Sequence, residues 1–256
     1  MPDRATSLAY NQEGSGPVIV FVHGLTFSRA TWRPITARLA DRFQCISVDL
    51  PGHGETPGPP QPLEAVAHSL HDTLTALSID RPVMVGHSMA VAIVSMYAAK
   101  YATTGVVNVD QPLNVRPFAE MVQRMAPALH GDGFDLAFEP IRQSMGVDAL
   151  PAPMRSQVAA TQTIRQDLVL GYWAELLAET PAELQRRIDA VADAIAVPYL
   201  AIMGQTLSDV DREHLRRHVR GAQIEEWPGR GHMVHLAEPD RFAERLAAFV
   251  RDCADL

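Results

Sequence analysis

Ser88 stands in the run Val83-Met84-Val85-Gly86-His87-Ser88-Met89-Ala90-Val91-Ala92-Ile93, an apolar stretch that gives way to small residues at the serine. Such a run reads as a strand turning sharply into a helix, with the hydroxyl projecting above the bend. The bend strains the backbone at the serine, and the residues two positions to either side must be small so that strand and helix can approach. Gly86 and Ala90 meet that need, Ala90 adding one methyl to the usual Gly-x-Ser-x-Gly pattern. Taken alone, the five residues also fit an ordinary turn with a capping serine, so the chemistry depends on a partner base. His232 is placed to be that base. It lies in Trp227-Pro228-Gly229-Arg230-Gly231-His232-Met233-Val234-His235-Leu236, between the last β-branched run and an amphipathic terminal segment. The glycines let the chain turn so that an imidazole can take a proton from a serine hydroxyl and return it to a leaving group. That pairing is nucleophilic acyl chemistry. His235 reads as a packing or capping residue.

The elements that must hold these groups follow from hydrophobic period. Val18 to Val22, Cys45 to Val48, Pro82 to Val85, Val106 to Val109, Tyr199 to Met203 and Ile224 to Trp227 are short strand-like runs. They alternate with helical segments, which predicts a mostly parallel central sheet flanked by helices, an α/β fold. Leu63, Val66, Leu70, Leu74 and Leu77 mark one helix face, and Phe242, Leu246 and Phe249 mark another. From Pro112 to about Ala196 the rhythm breaks, with helical periodicity and no convincing strand. The chain is therefore divided into a core of residues 1–111 and 197–256 and a helical insertion of residues 112–196. Within the insertion, Thr180-Pro181-Ala182-Glu183 has the form of a capping box, followed by Leu184, Ile188, Val191 and Ile195 on one face. Ile164, Leu168, Tyr172 and Leu176 suggest one further helix.

Two more loops complete a pattern. Ile19-Val20-Phe21-Val22-His23-Gly24-Leu25-Thr26 is a strand ending in His-Gly, and Asp49-Leu50-Pro51-Gly52-His53-Gly54-Glu55-Thr56 follows the next strand. With the serine bend and the Gly229-Arg230-Gly231-His232 loop, these segments resemble the α/β-hydrolase superfamily over nearly the whole chain, least so in the insertion. The resemblance implies a serine hydrolase in which Ser88 is nucleophile, His232 is general base, and the insertion caps the pocket. It also implies that the backbone amides of Leu25 and Met89 form the oxyanion hole, where losing one donor typically costs roughly 3 to 4 kcal/mol. His23, His53 and Asp49 are expected to brace their loops. In many family members the acid lies three residues past the strand ending at Gly204, a position held here by Leu207, with Asp209 two residues further. Other branches place it after the strand before the insertion, where Asp110 stands. Asp110 is the favoured acid and Asp209 the alternative.

The insertion carries Phe118, Met121, Met125, Phe134, Phe138, Met145, Tyr172 and Trp173. Most should pack; Phe118, Met121, Met145 and Trp173 are expected to line a pocket for a small, uncharged, hydrophobic ester or lactone. The fold also supports lyases, C–C bond hydrolases, cofactor-free perhydrolases and low-turnover ligand receptors, which stand as alternatives. With 256 residues, 47% hydrophobic and 20% charged, the chain can bury a large core. Its formal net charge is −8 and its 22 basic residues form no run, which disfavours nucleic acid as a partner. No metal-ligand spacing, phosphate loop or dinucleotide fingerprint is apparent, so no cofactor is expected. Cys45 and Cys253 lie far apart and suggest no disulfide framework. Residues 1–6 lack a signal-peptide core and no apolar run is long enough to cross a bilayer, so a cytoplasmic protein is expected. Oligomeric state is left open by the sequence.

Overall fold

Strands buried on both faces must be apolar throughout, and their alternate side chains must serve two different cores. The computed structural model describes residues 7–254 and follows that rule. Its strands are β1 (Tyr10–Glu13), β2 (Val18–Val22), β3 (Gln44–Val48), β4 (Val83–His87), β5 (Gly105–Val109), β6 (Tyr199–Met203) and β7 (Gln223–Glu226). They form one sheet in the order β1-β3-β2-β4-β5-β6-β7, parallel except where β1 pairs antiparallel with β3. On β2, Ile19 and Phe21 enter one core while Val20 and Val22 enter the other.

The helices before β5 are α1 (Arg33–Leu39), α2 (Leu63–Ala76) and α3 (Ala90–Lys100). Between β5 and β6 run α4 (Arg116–His130), α5 (Phe134–Ser144), α6 (Ala152–Thr161), α7 (Gln166–Tyr172), α8 (Ala174–Ala178) and α9 (Pro181–Asp193), with no strand among them. After β6 come α10 (Asp209–His218), α11 (Val234–Ala237) and α12 (Pro239–Ala254). Trp32, Ile35 and Leu39, from the start and body of α1, pack with Phe242, Leu246 and Phe249 of α12 in the core on one face. Val66, Leu70 and Leu74 of α2 and Val91 and Val94 of α3 fill the other core, which continues into the helices that follow β5.

Two features depart from the sequence expectations. β1 has no apolar alternation because it is an exposed edge strand, held to β3 by backbone pairing from Tyr10↔Val48 to Glu13↔Cys45. The single helix expected through Ile164 and Leu176 is instead α7 and α8, broken at Trp173, with Ile164 ahead of α7. The capping box at α9 forms as expected, Thr180 Oγ1 accepting from the Glu183 amide at 3.3 Å. Among the described residues, no helix is long and apolar enough to cross a membrane, and Cys45 and Cys253 are free and buried. The signal-peptide expectation concerns residues 1–6, which lie outside the described residues.

Candidate active site

The bend between β4 and α3 holds Ser88 in the left-handed region at φ +55°, a costly conformation for a residue with a Cβ. Its amide donates to the Val109 carbonyl at 3.0 Å, tying the bend to the end of β5. A Cβ on Gly86 would lie 2.7 Å from the Ala90 carbonyl oxygen, which explains the small residue two positions before the serine. Ala90 is fully buried, so its one extra methyl is accommodated.

β5 ends at Val109, and Asp110 adopts φ +56° immediately after it. Asn108, buried within the strand, accepts from the Gln111 amide at 3.0 Å and donates to the Gln111 carbonyl at 2.8 Å. This clamp fixes the turn from which Asp110 projects. One Asp110 carboxylate oxygen lies 2.7 Å from His232 Nδ1; the other accepts from the Gly204 amide at 2.6 Å. Burial alone would push the Asp110 carboxyl up. The hydrogen bond and charge of His232, with the Gly204 amide, outweigh it and hold the carboxyl below its ordinary value. Asp110 is therefore an anion facing an imidazole N–H.

The loop bearing His232 is anchored at the same glycine. The Gly204 carbonyl accepts from the amides of Arg230 and Gly231, each at 3.1 Å. Added to Gly204, a Cβ would lie 1.8 Å from the Gly231 carbonyl oxygen, so only glycine fits. His87 adds a second anchor: its Nε2–H donates to the His232 carbonyl at 2.9 Å, and burial holds its ring neutral with a pKa well below the ordinary value. Gly204, His87 and Asn108 are supports that the sequence does not single out. A glycine at a strand end was the one available signal.

Ser88, His232 and Asp110 all line one cavity of about 470 Å³, with Leu25 and Met89 beside them. Among the described residues, the amides of Leu25 and Met89 donate no hydrogen bond. The loop carrying Leu25 is braced where Thr26 donates its amide to His53 Nε2 at 3.2 Å. His23 braces the neighbouring loop, accepting from the Leu50 amide at 3.1 Å. Asp49 is buried and accepts from the amides of Arg29 at 2.7 Å and Glu55 at 2.9 Å, a turn-bracing role. His235 is buried against the Trp32 ring, centroids 4.5 Å apart.

Asp209 goes elsewhere. It is the first residue of α10, its side chain is fully exposed, and it pairs with Arg212. Of the four pocket residues expected from the sequence, Phe118, Met145 and Trp173 line the cavity. Met121 does not; it is half-buried and packs on the adjoining core.

Residues 19–245 match the alpha/beta hydrolase family. A pimeloyl-[acyl-carrier protein] methyl ester esterase of Pectobacterium carotovorum is 26% identical over 271 residues, covering 96% of this chain and 99% of that protein. A 2-succinyl-6-hydroxy-2,4-cyclohexadiene-1-carboxylate synthase of Serratia proteamaculans is 25% identical over 254 residues, covering 96% of this chain and 98% of that one. Among solved structures, a thermophilic esterase from Thermogutta terrifontis superposes with a TM-score of 0.76 at 20% identity, over 96% of this chain and 93% of its own.

Proposed function

The chain belongs to the alpha/beta hydrolase family, and on that premise we propose that it is a serine hydrolase cleaving a hydrophobic carboxylic ester or lactone through an acyl-enzyme. The observation that carries this reading is the 2.7 Å contact of Asp110 with His232 Nδ1, on the same cavity as the strained Ser88. Ser88 Oγ attacks the carbonyl carbon as its proton passes to His232 Nε2, and Asp110 stabilises the resulting imidazolium through Nδ1–H. The carbonyl oxygen, now anionic, accepts from the amides of Leu25 and Met89. His232 then protonates the departing alkoxide, leaving an acyl group on Ser88. Water, deprotonated by His232, attacks that acyl carbon, and the acid leaves as Ser88 regains its proton. In this reading residues 112–196 act as a cap over a core of residues 1–111 and 197–256, and Phe118, Met145 and Trp173 help to shape the acyl or alcohol pocket.

Substrate charge follows from the lining. Apart from His232, Arg187 is the one basic residue on the cavity among the described residues, and its guanidinium is already held by Glu175 at 2.6 Å and Glu179 at 2.8 Å. Asp110, Glu175 and Asp211 are the acids there. A carboxylate-bearing substrate would enter a site where the described residues offer no free cation, at a cost of several kcal/mol. That argues against chemistry like that of the Serratia synthase, whose product is by name a carboxylate. Steady-state hydrolysis of p-nitrophenyl esters tests both points. Uncharged esters of four to eight carbons should show kcat/KM at least about tenfold above the hemisuccinate. A preference for the hemisuccinate, or no ester hydrolysis at all, contradicts the proposal.

A further inference from the structure

Away from the cavity, α9 and α10 face each other with two acids against two histidines. His214 and His218 lie one turn apart on α10, and Asp189 and Asp193 lie one turn apart on α9, so each pair shares a helix face. His214 Nε2 is 2.9 Å from one oxygen of Asp189. His218 Nε2 is 3.8 Å from the other oxygen of Asp189, too far for a hydrogen bond. His218 Nδ1 is 3.0 Å from Asp193. Because a carboxylate only accepts, these contacts put a proton on His218 Nδ1, so that Nε2 is the atom His218 offers to a metal, and a proton on His214 Nε2 that a bound ion would displace. One ligand atom from each of Asp189, His214 and His218 falls within 4.8 Å of the other two. Ligands around a tetrahedral zinc ion at about 2.0 Å stand about 3.3 Å apart, so small side-chain rotations would bring the three to coordinating distance.

The surroundings have the form of an outer shell. Gln185 is buried and donates through Nε2 to Asp189 at 2.7 Å and to the Leu113 carbonyl at 3.0 Å, while its Oε1 accepts from the Val115 amide at 2.8 Å. Asp189 is thus oriented by a side chain that is itself fixed to the backbone. Asp193, at 3.0 Å from His218 Nδ1, supplies the carboxylate–histidine arrangement that commonly backs a metal ligand.

We propose that Asp189, His214 and His218 form a binding site for a borderline divalent cation of zinc type, with water completing the coordination. Two imidazoles and one carboxylate suit zinc over magnesium or calcium, which prefer all-oxygen shells. The role is structural: Leu184, Arg187, Ile188 and Val191 of α9 line the cavity, and α10 follows β6 and Gly204, so the ion joins a wall of the cavity to the sheet. The His214-His218 spacing gains its carboxylate only through folding, which is why no metal site is legible along the chain. The inference stands independently of the hydrolase reading.

Zinc chloride titrated into untagged, chelator-stripped protein tests it by calorimetry, thermal unfolding and the imidazole ¹⁵N–¹H spectrum. The expected result is one saturable site of micromolar or tighter affinity, a melting temperature raised by several degrees, and shifts confined to His214 and His218 resonances. His214→Asn with His218→Asn should weaken binding about 100-fold or more. Absence of saturable binding by the wild-type protein overturns the proposal, as do zinc-induced shifts at other histidines or unchanged affinity in the folded double variant. The wild-type imidazole spectrum decides the matter by itself if the double variant does not fold.

Discussion

Asp110 gives one carboxylate oxygen to His232 Nδ1 and the other to the Gly204 amide, so its replacement by Asn alters two contacts at once. An amide NH₂ facing Nδ1 favours the tautomer with the proton on Nε2, which cannot act as base toward Ser88. Asp110→Asn should therefore lower kcat on an uncharged aryl ester by about four orders of magnitude. Asp209→Asn should change it less than about twofold, because its exposed ion pair with Arg212 contributes little. Equal small losses in the two variants would reject Asp110 as the acid. Ser88 and His232 are legible in the sequence because their signals are local, a tight bend and a glycine loop. The acid is ambiguous there, because what distinguishes the two aspartates is where each strand end points. The fold separates them: Ser208 accepts from the Asp211 amide at 3.1 Å as the N-cap of α10, which puts Asp209 in the exposed first turn of that helix.

At the level of elements, the ends of β5 and β6 and the loop before α11 are joined through Gly204, which bonds Asp110 by its amide and the His232 loop by its carbonyl. With a Cβ at 1.8 Å from the Gly231 oxygen, Gly204→Ala must push that loop away from the sheet. The variant should lose at least about 100-fold in kcat, the scale of a displacement of roughly 1 Å in a catalytic group. An equally active, correctly folded Gly204→Ala protein would show that the two loops need not meet at this point. The buried parallel strands are legible because burial on both faces demands runs of apolar residues. β1 is not, since an edge strand with polar side chains relies on backbone pairing alone. Nor is the break between α7 and α8, because the apolar period continues across it while the backbone departs from helix at Trp173. Met121 has the residue type expected of an adaptable pocket wall but is used for packing, a choice made by neighbouring helices.

Across the whole molecule, several histidines are buried as neutral rings. Burial first, then the neighbouring rings, lower the pKa of His23 and His235 to about 3, and lower that of His87 well below its ordinary value. In the unfolded chain these rings take up protons near pH 6.5, while in the native state they do not, so the unfolded state binds more protons below that pH. Stability should fall on acidification from about pH 6.5 toward pH 3, by about 1.4 kcal/mol per pH unit for each such ring. Asp110 adds to the same trend, because its depressed carboxyl contributes stability above the unfolded value that is lost as pH falls through its native one. His235, with both ring nitrogens buried and unpartnered, can be tested separately. In urea unfolding between pH 6 and 4, His235→Leu should reduce the slope of stability against pH by about 1.4 kcal/mol per unit. An unchanged slope would mean that His235 titrates freely in the native protein. Structural roles for His23, His53 and His235 are legible along the chain, but how far burial strips each ring of partners is not, because that depends on the elements packed around it.

If Ser88 is made nucleophilic by His232, 144 positions further along the chain, it must react with an electrophile that serine hydrolases accept. Reaction with a fluorophosphonate, followed by intact mass and peptide mapping, shows whether it does. One adduct per chain is predicted, located on Ser88, with labelling slowed by orders of magnitude in His232→Ala. A folded protein that takes up no label, or takes it up at another residue, would contradict the account.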